Sequence, residues 1–355
     1  GIQQLISAGF DVVVESGAGG PSHYGDEEYR NAGASIAPDA ASFYQQADLI
    51  LKVRQPIDDE IELIKEGSTL ICMMDAWFNL DLVEKLAKRD IRSFALEFIP
   101  RITRAQSMDV LSSMAAISGY RSVLAGAMAL PQYFPMLMTA AGTVKAARIL
   151  ILGAGVAGLQ AIATAKRLGA VIEASDVRPA VKEQIESLGA KFVDVPFETD
   201  EERECAQGVG GYARPMPQSW MERQAKAVHE RAKQADIVIT TALIPGRKAP
   251  TLLHEATVAE MKPGSVVIDL AAAQGGNCPL TEADKVVVKH GVTLVGHTNL
   301  AALVPADASA LYARNLLDFL KLVIDKEGQF QLNLEDDIVA ACLMCNAGEV
   351  VRKNG

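Results

Sequence analysis

The sequence predicts an α/β protein whose strands form parallel sheets. Short β-branched runs alternate with longer amphipathic stretches along almost the whole chain, and this alternation is typical of repeated βα units. A length of 355 residues predicts two domains. A hydrophobic fraction of 49% and a charged fraction of 22% are those of a soluble globular protein with an ample core.

The charge balance and the cysteines exclude some classes of protein. Lys and Arg total 34 against 44 Asp and Glu, which gives a net charge of −10. Phosphate backbones repel such a protein, so we expect no nucleic-acid partner. Five cysteines without regular spacing argue against a disulfide framework. Cys342 and Cys345 form a C-x-x-C in an apolar run, and we interpret them as two small buried side chains.

Each element can be placed along the chain from its apolar pattern. In the first third, strands are expected at 10–15, 48–53, 68–74 and 91–96, with helices at 57–65 and 80–88. In the middle, strands are expected at 147–152, 171–175, 191–195, 236–241, 265–270 and 292–296. Leucines on one side of the stretch 307–325 predict a long helix there.

The two halves of the chain resemble each other. Asp48 and Asp236 each open a strand, and in both halves a Gly-Ser turn leads into the next strand. We therefore expect two similarly wound sheets with a cleft between the domains. The boundary is expected in the helix-like stretch 106–130, giving a first domain of residues 1–110 plus 305–355 and a second of residues 111–304. The opening residues read as the last turns of a helix, so the first domain is expected to lack its first strand.

A glycine-rich motif lies at the centre of the chain. Gly153, Gly155 and Gly158 form a G-x-G-x-x-G between a predicted strand and a predicted helix. Such glycines allow a tight turn and close approach of a pyrophosphate to backbone N–H groups at a helix N-terminus. The same glycines interrupt the apolar tract 149–165, which charged residues flank, so we interpret this tract as part of a nucleotide-binding fold and expect no direct membrane insertion.

An acidic residue follows the glycine motif at the distance that a dinucleotide site requires. Asp176 lies 18 residues after Gly158, at the end of the next predicted strand. It can accept hydrogen bonds from both ribose hydroxyls, and its charge would repel a 2′-phosphate. We therefore expect NAD(H) rather than NADP(H). Arg178 is expected against the adenine or the diphosphate.

A second group of polar residues lies near the expected domain boundary. Arg101, Gln106, Asp109 and Ser112 are concentrated in twelve residues, and Asp109 and Ser112 face the same way on a helix. A nicotinamide carboxamide needs a donor and an acceptor, and this stretch offers both. The alternative is a charged helix start, in which Ser107 or Asp109 is the cap.

Other candidates are weaker. The stretch 208–217 holds three glycines, two prolines and Tyr212, and it is expected to be a loop long enough to move. Asp269 ends a predicted strand and is either a ligand-facing carboxylate or a loop cap. The five histidines form no metal, nucleophile or acid–base arrangement, so no metal is expected.

Four segments together resemble one known family. They are the stretches 101–109, 153–169, 240–246 and 275–279. Over essentially its whole length the chain resembles the NAD(H)-binding component (domain I, alpha subunit) of proton-translocating NAD(P)+ transhydrogenase, in the alanine dehydrogenase/transhydrogenase family. In that family the component is a soluble homodimer of two Rossmann-like domains. It docks on a membrane-spanning domain and on a separate NADP(H)-binding domain.

The resemblance implies an activity and a place in the cell. NADH bound here would give hydride to NADP+ on the partner domain, and a separate membrane component would couple this to proton translocation. The chain would lie peripherally on the cytoplasmic side of the bacterial inner membrane.

The resemblance also implies roles for residues. Arg101, Gln106, Asp109 and Ser112 would hold the nicotinamide ring and ribose, with Gln106 also reaching toward the NADP(H) partner. Tyr212 would lie on a loop that closes over the nucleotide. The full set expected to bind the cofactor is Gly153, Ala154, Gly155, Val156, Ala157, Gly158, Asp176, Val177, Arg178, Tyr212, Thr240, Ala242, Leu243, Asp269, Gly275 and Asn277.

Alanine dehydrogenase has the same architecture but needs an acid–base pair, a His and an Asp. Where the His is expected, this sequence reads Met-Met-Asp-Ala-Trp from residue 73, and Ala273 stands where the Asp is expected. Lys52 resembles the substrate lysine of that enzyme, but it cannot complete the chemistry without the pair. A free-standing amino-acid dehydrogenase and a non-catalytic NAD(H)-sensing module are the alternatives.

Overall fold

A computed structural model describes residues 1–207, 216–244, 246–325 and 327–352. The chain divides into two compact units. The first unit consists of Gly1–Ser113 and Pro305–Gly355, and the second of Met114–Val304. Tyr212 and most of the expected loop 208–217 lie outside the described residues.

The elements alternate along the chain as the sequence predicts. The strands are β1 (Val13–Glu15), β2 (Ser35–Ala37), β3 (Leu49–Arg54), β4 (Thr69–Met73), β5 (Arg92–Ala95), β6 (Leu137–Thr139), β7 (Gly142–Val144), β8 (Arg148–Leu152), β9 (Val171–Ser175), β10 (Lys191–Phe192), β11 (Ile237–Thr240), β12 (Val266–Asp269), β13 (Val286–Lys289), β14 (Val292–Val295), β15 (Leu343–Asn346) and β16 (Glu349–Val350). The helices are α1 (Ile2–Ser7), α2 (Asp26–Asn31), α3 (Ala40–Gln46), α4 (Asp58–Leu63), α5 (Leu80–Lys88), α6 (Val110–Ala129), α7 (Val156–Arg167), α8 (Lys182–Ser187), α9 (Asp200–Gln207), α10 (Gln218–Ala232), α11 (Glu255–Ala259), α12 (Pro305–Val323) and α13 (Asp337–Cys342).

The second unit has a doubly wound sheet. Within the described residues its strands follow the order β10-β9-β8-β11-β12-β14-β13, and β13 alone is antiparallel to its neighbour. Counted within the unit, the parallel strands follow the order 3-2-1-4-5-6, which is the Rossmann order. The chain direction across the sheet reverses between β8 and β11. In such a sheet a ligand binds at this switch point, outside the carboxyl ends of the strands.

The core of the second unit explains why its strands are apolar along their whole length. Both faces of a parallel sheet are covered by helices, so its strands need no polar side. In β11 all four residues are buried, and in β8 only Arg148 is exposed. Two apolar clusters lie in this unit, one including Ile151 and Ile162 and the other Leu150 and Val267.

The first unit has a smaller, mixed sheet. Within the described residues its order is β16-β15-β5-β4-β3, in which β3, β4 and β5 are parallel and the C-terminal hairpin β15-β16 is antiparallel. The expected strand 10–15 is shorter, and it pairs with β2 in a separate two-stranded sheet. The C-x-x-C contributes to β15: Cys342 and Cys345 are buried and unlinked, which confirms their interpretation as small core residues.

The resemblance between the two halves of the sequence has a structural basis. Before β4, Thr69 N–H donates to Asp48 O (2.9 Å), and before β12, Val266 N–H donates to Asp236 O (3.0 Å). In each unit a lysine of the turn pairs with that same aspartate: Lys65 with Asp48 at 2.6 Å, and Lys262 with Asp236 at 2.7 Å. Each unit therefore repeats one way of joining a helix to a strand.

The structure also divides two stretches that the sequence pattern joined. The helix-like stretch 106–130 is a 3₁₀ segment, Thr103–Met108, followed by α6. The apolar tract 149–165 is a strand, a glycine turn and a helix. Among the residues that the structure describes, no helix combines the length and the apolar character needed to cross a bilayer.

Candidate functional site

The glycine loop joins β8 to α7 at the switch point of the second unit. Gly153 has a φ of +97°, which favours glycine, and its N–H donates to Ser175 O of β9 (2.8 Å). A Cβ on Gly158 would lie 1.9 Å from Gly153 O, so only glycine fits there. At Gly155, in contrast, no atom lies within 4 Å of the position that a Cβ would take. Two of the glycines shape the loop, and the third leaves open space beside it.

The helix after the loop offers free backbone donors. Gly155 is the N-cap of α7, and among the described residues no side chain caps this end. The first N–H groups of a helix have no partner within the helix, and its dipole favours an anion there. Open space at Gly155 and uncapped donors beside it form a cradle that fits a diphosphate.

Asp176 closes one side of this cradle. Its Oδ2 accepts a hydrogen bond from Ala154 N–H at 2.7 Å, and its side chain is only 6% exposed. Arg178 binds the same carboxylate: its N–H and Nε donate to Oδ1 at 2.8 and 2.9 Å, and Nη2 donates to Oδ2 at 2.9 Å. The expected ribose-binding carboxylate therefore lies next to the glycine loop. Arg178 pairs with it, whereas we expected this arginine against the adenine or diphosphate.

The loop after β11 lies beside the glycine loop. Thr240 is directly opposite Leu152 in the sheet, so the two loops leave the same edge of neighbouring strands. Thr241 Oγ1 donates to Gly153 O at 2.9 Å and joins them. Leu243 (37%) and Val156 (42%) are exposed apolar side chains on these segments. Thr241 was not among the expected site residues because a hydroxyl between two loops has no signature in the sequence.

Asp269 and Asn277 are placed differently from the expectation that they face a ligand. Both are fully enclosed, with exposures of 1% and 0%. Asn277 binds the backbone of Ala242, with its Oδ1 accepting from the N–H (3.1 Å) and its Nδ2 donating to the carbonyl (2.8 Å). Asp269 accepts from Ala271 N–H and Asn277 N–H among others. The alternative of a loop cap therefore describes Asp269, and both side chains shape the site from behind.

The second polar group lies in the first unit, on the 3₁₀ segment and the start of α6. Arg101 and Gln106 are exposed. Asp109 precedes α6 and accepts hydrogen bonds from Ser112 N–H (2.9 Å) and Ser112 Oγ (2.6 Å). Asp109 is thus the helix cap that was the alternative interpretation, and the cap holds Ser112 in place.

Residues outside the expected set hold this 3₁₀ segment. Arg104 donates to Asp336 at 2.8 and 3.1 Å and also pairs with Asp337. Asn315 of α12 donates to Ser107 O at 2.7 Å. These partners are more than 200 positions away in the sequence, so no local pattern could have identified them. They fix the backbone on either side of Gln106.

Lys52 of β3 is enclosed by groups of its own unit. Its Nζ donates to Tyr44 OH (2.7 Å) and pairs with Glu60 Oε1 (2.7 Å). Burial and the hydrogen bond to Glu60 raise the pKa of Tyr44, which stays a donor to that carboxylate at 2.9 Å. Burial opposes ionisation of Glu60, but hydrogen bonds from Lys52, the backbone and Tyr44 lower its pKa below the ordinary value. The charge of Lys52 is therefore already matched by Glu60.

Comparison with known proteins places the chain in a family. The family model described as alanine dehydrogenase/PNT, N-terminal domain, matches residues 1–118, and the corresponding C-terminal model matches residues 122–353. An NAD(P) transhydrogenase subunit alpha of Rhodospirillum rubrum is 51% identical over 99% of this chain and 92% of its own length. NAD(P) transhydrogenase subunit alpha of Haemophilus influenzae is 42% identical over 99% of this chain and 67% of its own length.

Solved structures agree. A transhydrogenase from Sinorhizobium meliloti matches with a TM-score of 0.85 and 46% identity, over 99% of this chain and 93% of that one. An L-alanine dehydrogenase matches with a TM-score of 0.82 and 25% identity, over 99% and 91%. These findings confirm the resemblance and the α/β fold of two Rossmann-like domains expected from the sequence. The chain belongs to the alanine dehydrogenase/transhydrogenase (PNT) family, among the relatives of transhydrogenase alpha subunits.

Proposed function

We propose that this chain is the NAD(H)-binding component of a proton-translocating transhydrogenase. NADH bound here gives a hydride directly to NADP+ held by a separate NADP(H)-binding domain, and a membrane component couples the transfer to proton movement. The observation that carries this proposal is the cradle at the switch point of the second unit, in a chain 51% identical to a transhydrogenase alpha subunit.

The cradle supports NAD(H) as the resident nucleotide. The uncapped start of α7 and the open space at Gly155 suit the diphosphate, and Asp176 suits the adenosine ribose. A 2′-phosphate on that ribose would meet the Asp176 carboxylate, so NADP(H) is disfavoured. Asp176 accepts from Arg178, and NADH binding therefore exchanges some of these hydrogen bonds for bonds to ribose hydroxyls.

The nicotinamide end is assigned to the polar group of the first unit. Arg101 and Gln106 are the exposed candidates, and Asp109 and Ser112 are held in fixed positions by their mutual hydrogen bonds. The nicotinamide supplies the hydride chemistry when the nucleotide is bound. These side chains contribute orientation, and a near-attack separation of about 3–3.5 Å between reacting carbons accounts for much of such a rate enhancement.

The same region argues against an amino-acid dehydrogenase. Oxidation of an amino acid needs a group that takes a proton, and the sequence has neither the His nor the Asp that alanine dehydrogenase uses. Lys52, the one remaining candidate for a substrate carboxylate, is paired with Glu60. Hydride transfer between two nicotinamides requires no such acid or base.

Partners follow from the same proposal. We assign the chain to a homodimer, to an NADP(H)-binding domain and to a membrane-spanning domain on the cytoplasmic side of a bacterial inner membrane. The hairpin β6-β7 and its surroundings expose apolar side chains, including Met128 (80%), Met138 (78%) and Tyr133 (61%). Contiguous exposed apolar surface of this kind is typical of protein contacts.

The experiment is a steady-state assay of hydride transfer from NADH to an NADP+-loaded domain of a transhydrogenase. A parallel assay supplies L-alanine and NAD+. Transfer in the first assay and none in the second is the expected result. Alanine turnover without transfer would establish the dehydrogenase instead, and NADH binding with neither activity would indicate a sensing module.

A further inference from the structure

A buried carboxylate lies behind the proposed nucleotide site. Asp269 ends β12 and is 1% exposed. Its Oδ1 accepts from Thr240 Oγ1 (3.1 Å) and Ala271 N–H (3.0 Å). Its Oδ2 accepts from Asn277 N–H (2.8 Å), Cys278 N–H (3.1 Å) and Thr281 Oγ1 (2.8 Å). Five donors satisfy a charge that burial would otherwise make costly.

The glycine before Asn277 allows this arrangement. Gly276 has a φ of +76°, and a Cβ there would lie 2.7 Å from Asp269 Oδ2. A side chain at this position would push the turn away from the carboxylate. The Gly-Gly-Asn sequence that the resemblance marked as cofactor-binding therefore has a structural reason of its own, which is to wrap the turn around Asp269.

Asn277 transmits this fixed turn to the loop at the switch point. Its side-chain amide accepts from Ala242 N–H and donates to Ala242 O, and it also donates to Pro250 O at 2.8 Å. An amide that satisfies both backbone groups of one residue fixes the position and direction of that peptide. Ala242 itself lies two residues after β11, next to the glycine loop.

We propose that Asp269 and Asn277 are positioning residues that set the affinity for the nucleotide by holding the Ala242 backbone at the switch point. This inference rests on the proposed NAD(H) function and changes the role of two residues from direct ligands to supports. Neither side chain touches the nucleotide, because both are enclosed and their polar atoms are bonded within the protein. The nucleotide meets the main chain that they hold.

The test is Asn277→Asp, measured by NADH titration between about pH 6 and pH 8.5. The introduced carboxyl faces Ala242 O and Pro250 O and lies close to the Asp269 carboxylate, and all three disfavour its charged form. Its pKa should therefore be raised. When protonated, it restores one donor to the loop. When charged, it repels both carbonyls.

The expected result is a Kd for NADH about tenfold weaker than that of the unchanged protein at high pH, with recovery as the pH falls. The unchanged protein, titrated in parallel, has no ionising group at this position and supplies the reference at each pH. A Kd equal to the reference at every pH would overturn the proposal. So would a weakened Kd that does not respond to pH.

A milder pair of variants covers the case in which Asn277→Asp does not fold. Thr281→Val removes one donor to Asp269, and Thr257→Val removes a buried hydroxyl of the same unit whose partner is His229. We expect Thr281→Val to weaken NADH binding about threefold and Thr257→Val to leave it unchanged, with similar losses in Tm. Equal losses in Tm with no change in either Kd would show that the hydrogen bonds are only structural. Failure of the unchanged protein to bind NADH would instead remove the proposed function.

Discussion

Two glycines of one motif differ in what they do. Gly158 is required by packing, because a Cβ there would lie 1.9 Å from Gly153 O. Gly155 is not, since its φ of −75° is ordinary and the space beside it is open. The motif alone cannot separate a glycine that the fold needs from one that the ligand needs, but the structure does.

This difference gives a prediction for two matched substitutions. Gly155→Ala should change the free energy of unfolding by less than about 0.5 kcal/mol but weaken NADH binding by about tenfold or more, because the methyl group occupies the space of the diphosphate. Gly158→Ala should lose about 2 kcal/mol or more of stability. Urea unfolding and NADH titration of both variants check this. A Gly155→Ala protein that binds NADH normally would place the diphosphate elsewhere.

Gln106 gives a prediction about rate rather than binding. Gln106→Asn draws the amide back by one methylene on an otherwise fixed backbone, so it should misplace the nicotinamide while the adenosine contacts stay. We expect hydride transfer to fall by about 10- to 100-fold with little change in the Kd for NADH. Gln45→Asn, an exposed glutamine of α3 in the same unit, is the control. Equal transfer rates for the two variants would argue against the role of Gln106.

At the scale of elements, α13 supports the segment that carries Gln106. Asp336 is the N-cap of α13, accepting from Ile338 N–H at 2.9 Å, and Arg104 donates to both of its oxygens. The hydrogen bond from Arg104 is the main cause that lowers the pKa of Asp336 below its ordinary value near 3.8. The ionised carboxylate therefore stabilises the fold above that value, and this contribution is lost as the pH falls through the lowered pKa.

Asp336→Asn tests this contribution. Asparagine keeps the cap and loses the charge, so the variant should be less stable by about 1 kcal/mol at pH 7, and the difference should shrink as the pH approaches about 4. Urea unfolding from pH 7 downward measures it. Asp48→Asn, at an exposed pair with Lys65, should cost less than about 0.5 kcal/mol at any pH. A pH-independent loss for Asp336→Asn would exclude the charge as its cause.

Elements with a clear period were predictable from the sequence. Val171–Ser175 and Leu80–Lys88 lie where the pattern placed them, because one is a β-branched run and the other an amphipathic helix. The hairpin β15-β16 was missed, since its first strand is apolar on both sides and does not alternate. The strand β13 was missed because it lies at the edge of the sheet, next to the turn at His290.

Side-chain direction limited the prediction of the site. The motif located the glycine loop and Asp176 because their spacing follows from one strand, one turn and one helix. Asp269 and Asn277 lie at the right edge of the sheet, but the sequence could not show that their side chains point into the protein. Arg178 and Thr241 have the same difficulty, since their partners depend on how neighbouring strands are aligned.

At the scale of the whole molecule, the proposed chemistry is a direct exchange between two nucleotides. NADH and NADP+ become NAD+ and NADPH, and no proton of the solvent enters the transferred position. Energy from proton movement, about 2.3 kcal/mol per charge for each 100 mV, would act on the membrane and NADP(H) components. This chain would hold the donor in position.

The most direct test follows the transferred atom. NADH carrying deuterium at both C4 positions is mixed with this protein and an NADP+-loaded transhydrogenase domain, and the NADPH formed is analysed by mass spectrometry. Direct transfer predicts one deuterium in every NADPH and none released to water. NADPH that carries hydrogen from the solvent, or no NADPH from a protein that binds NADH, would contradict the proposed function.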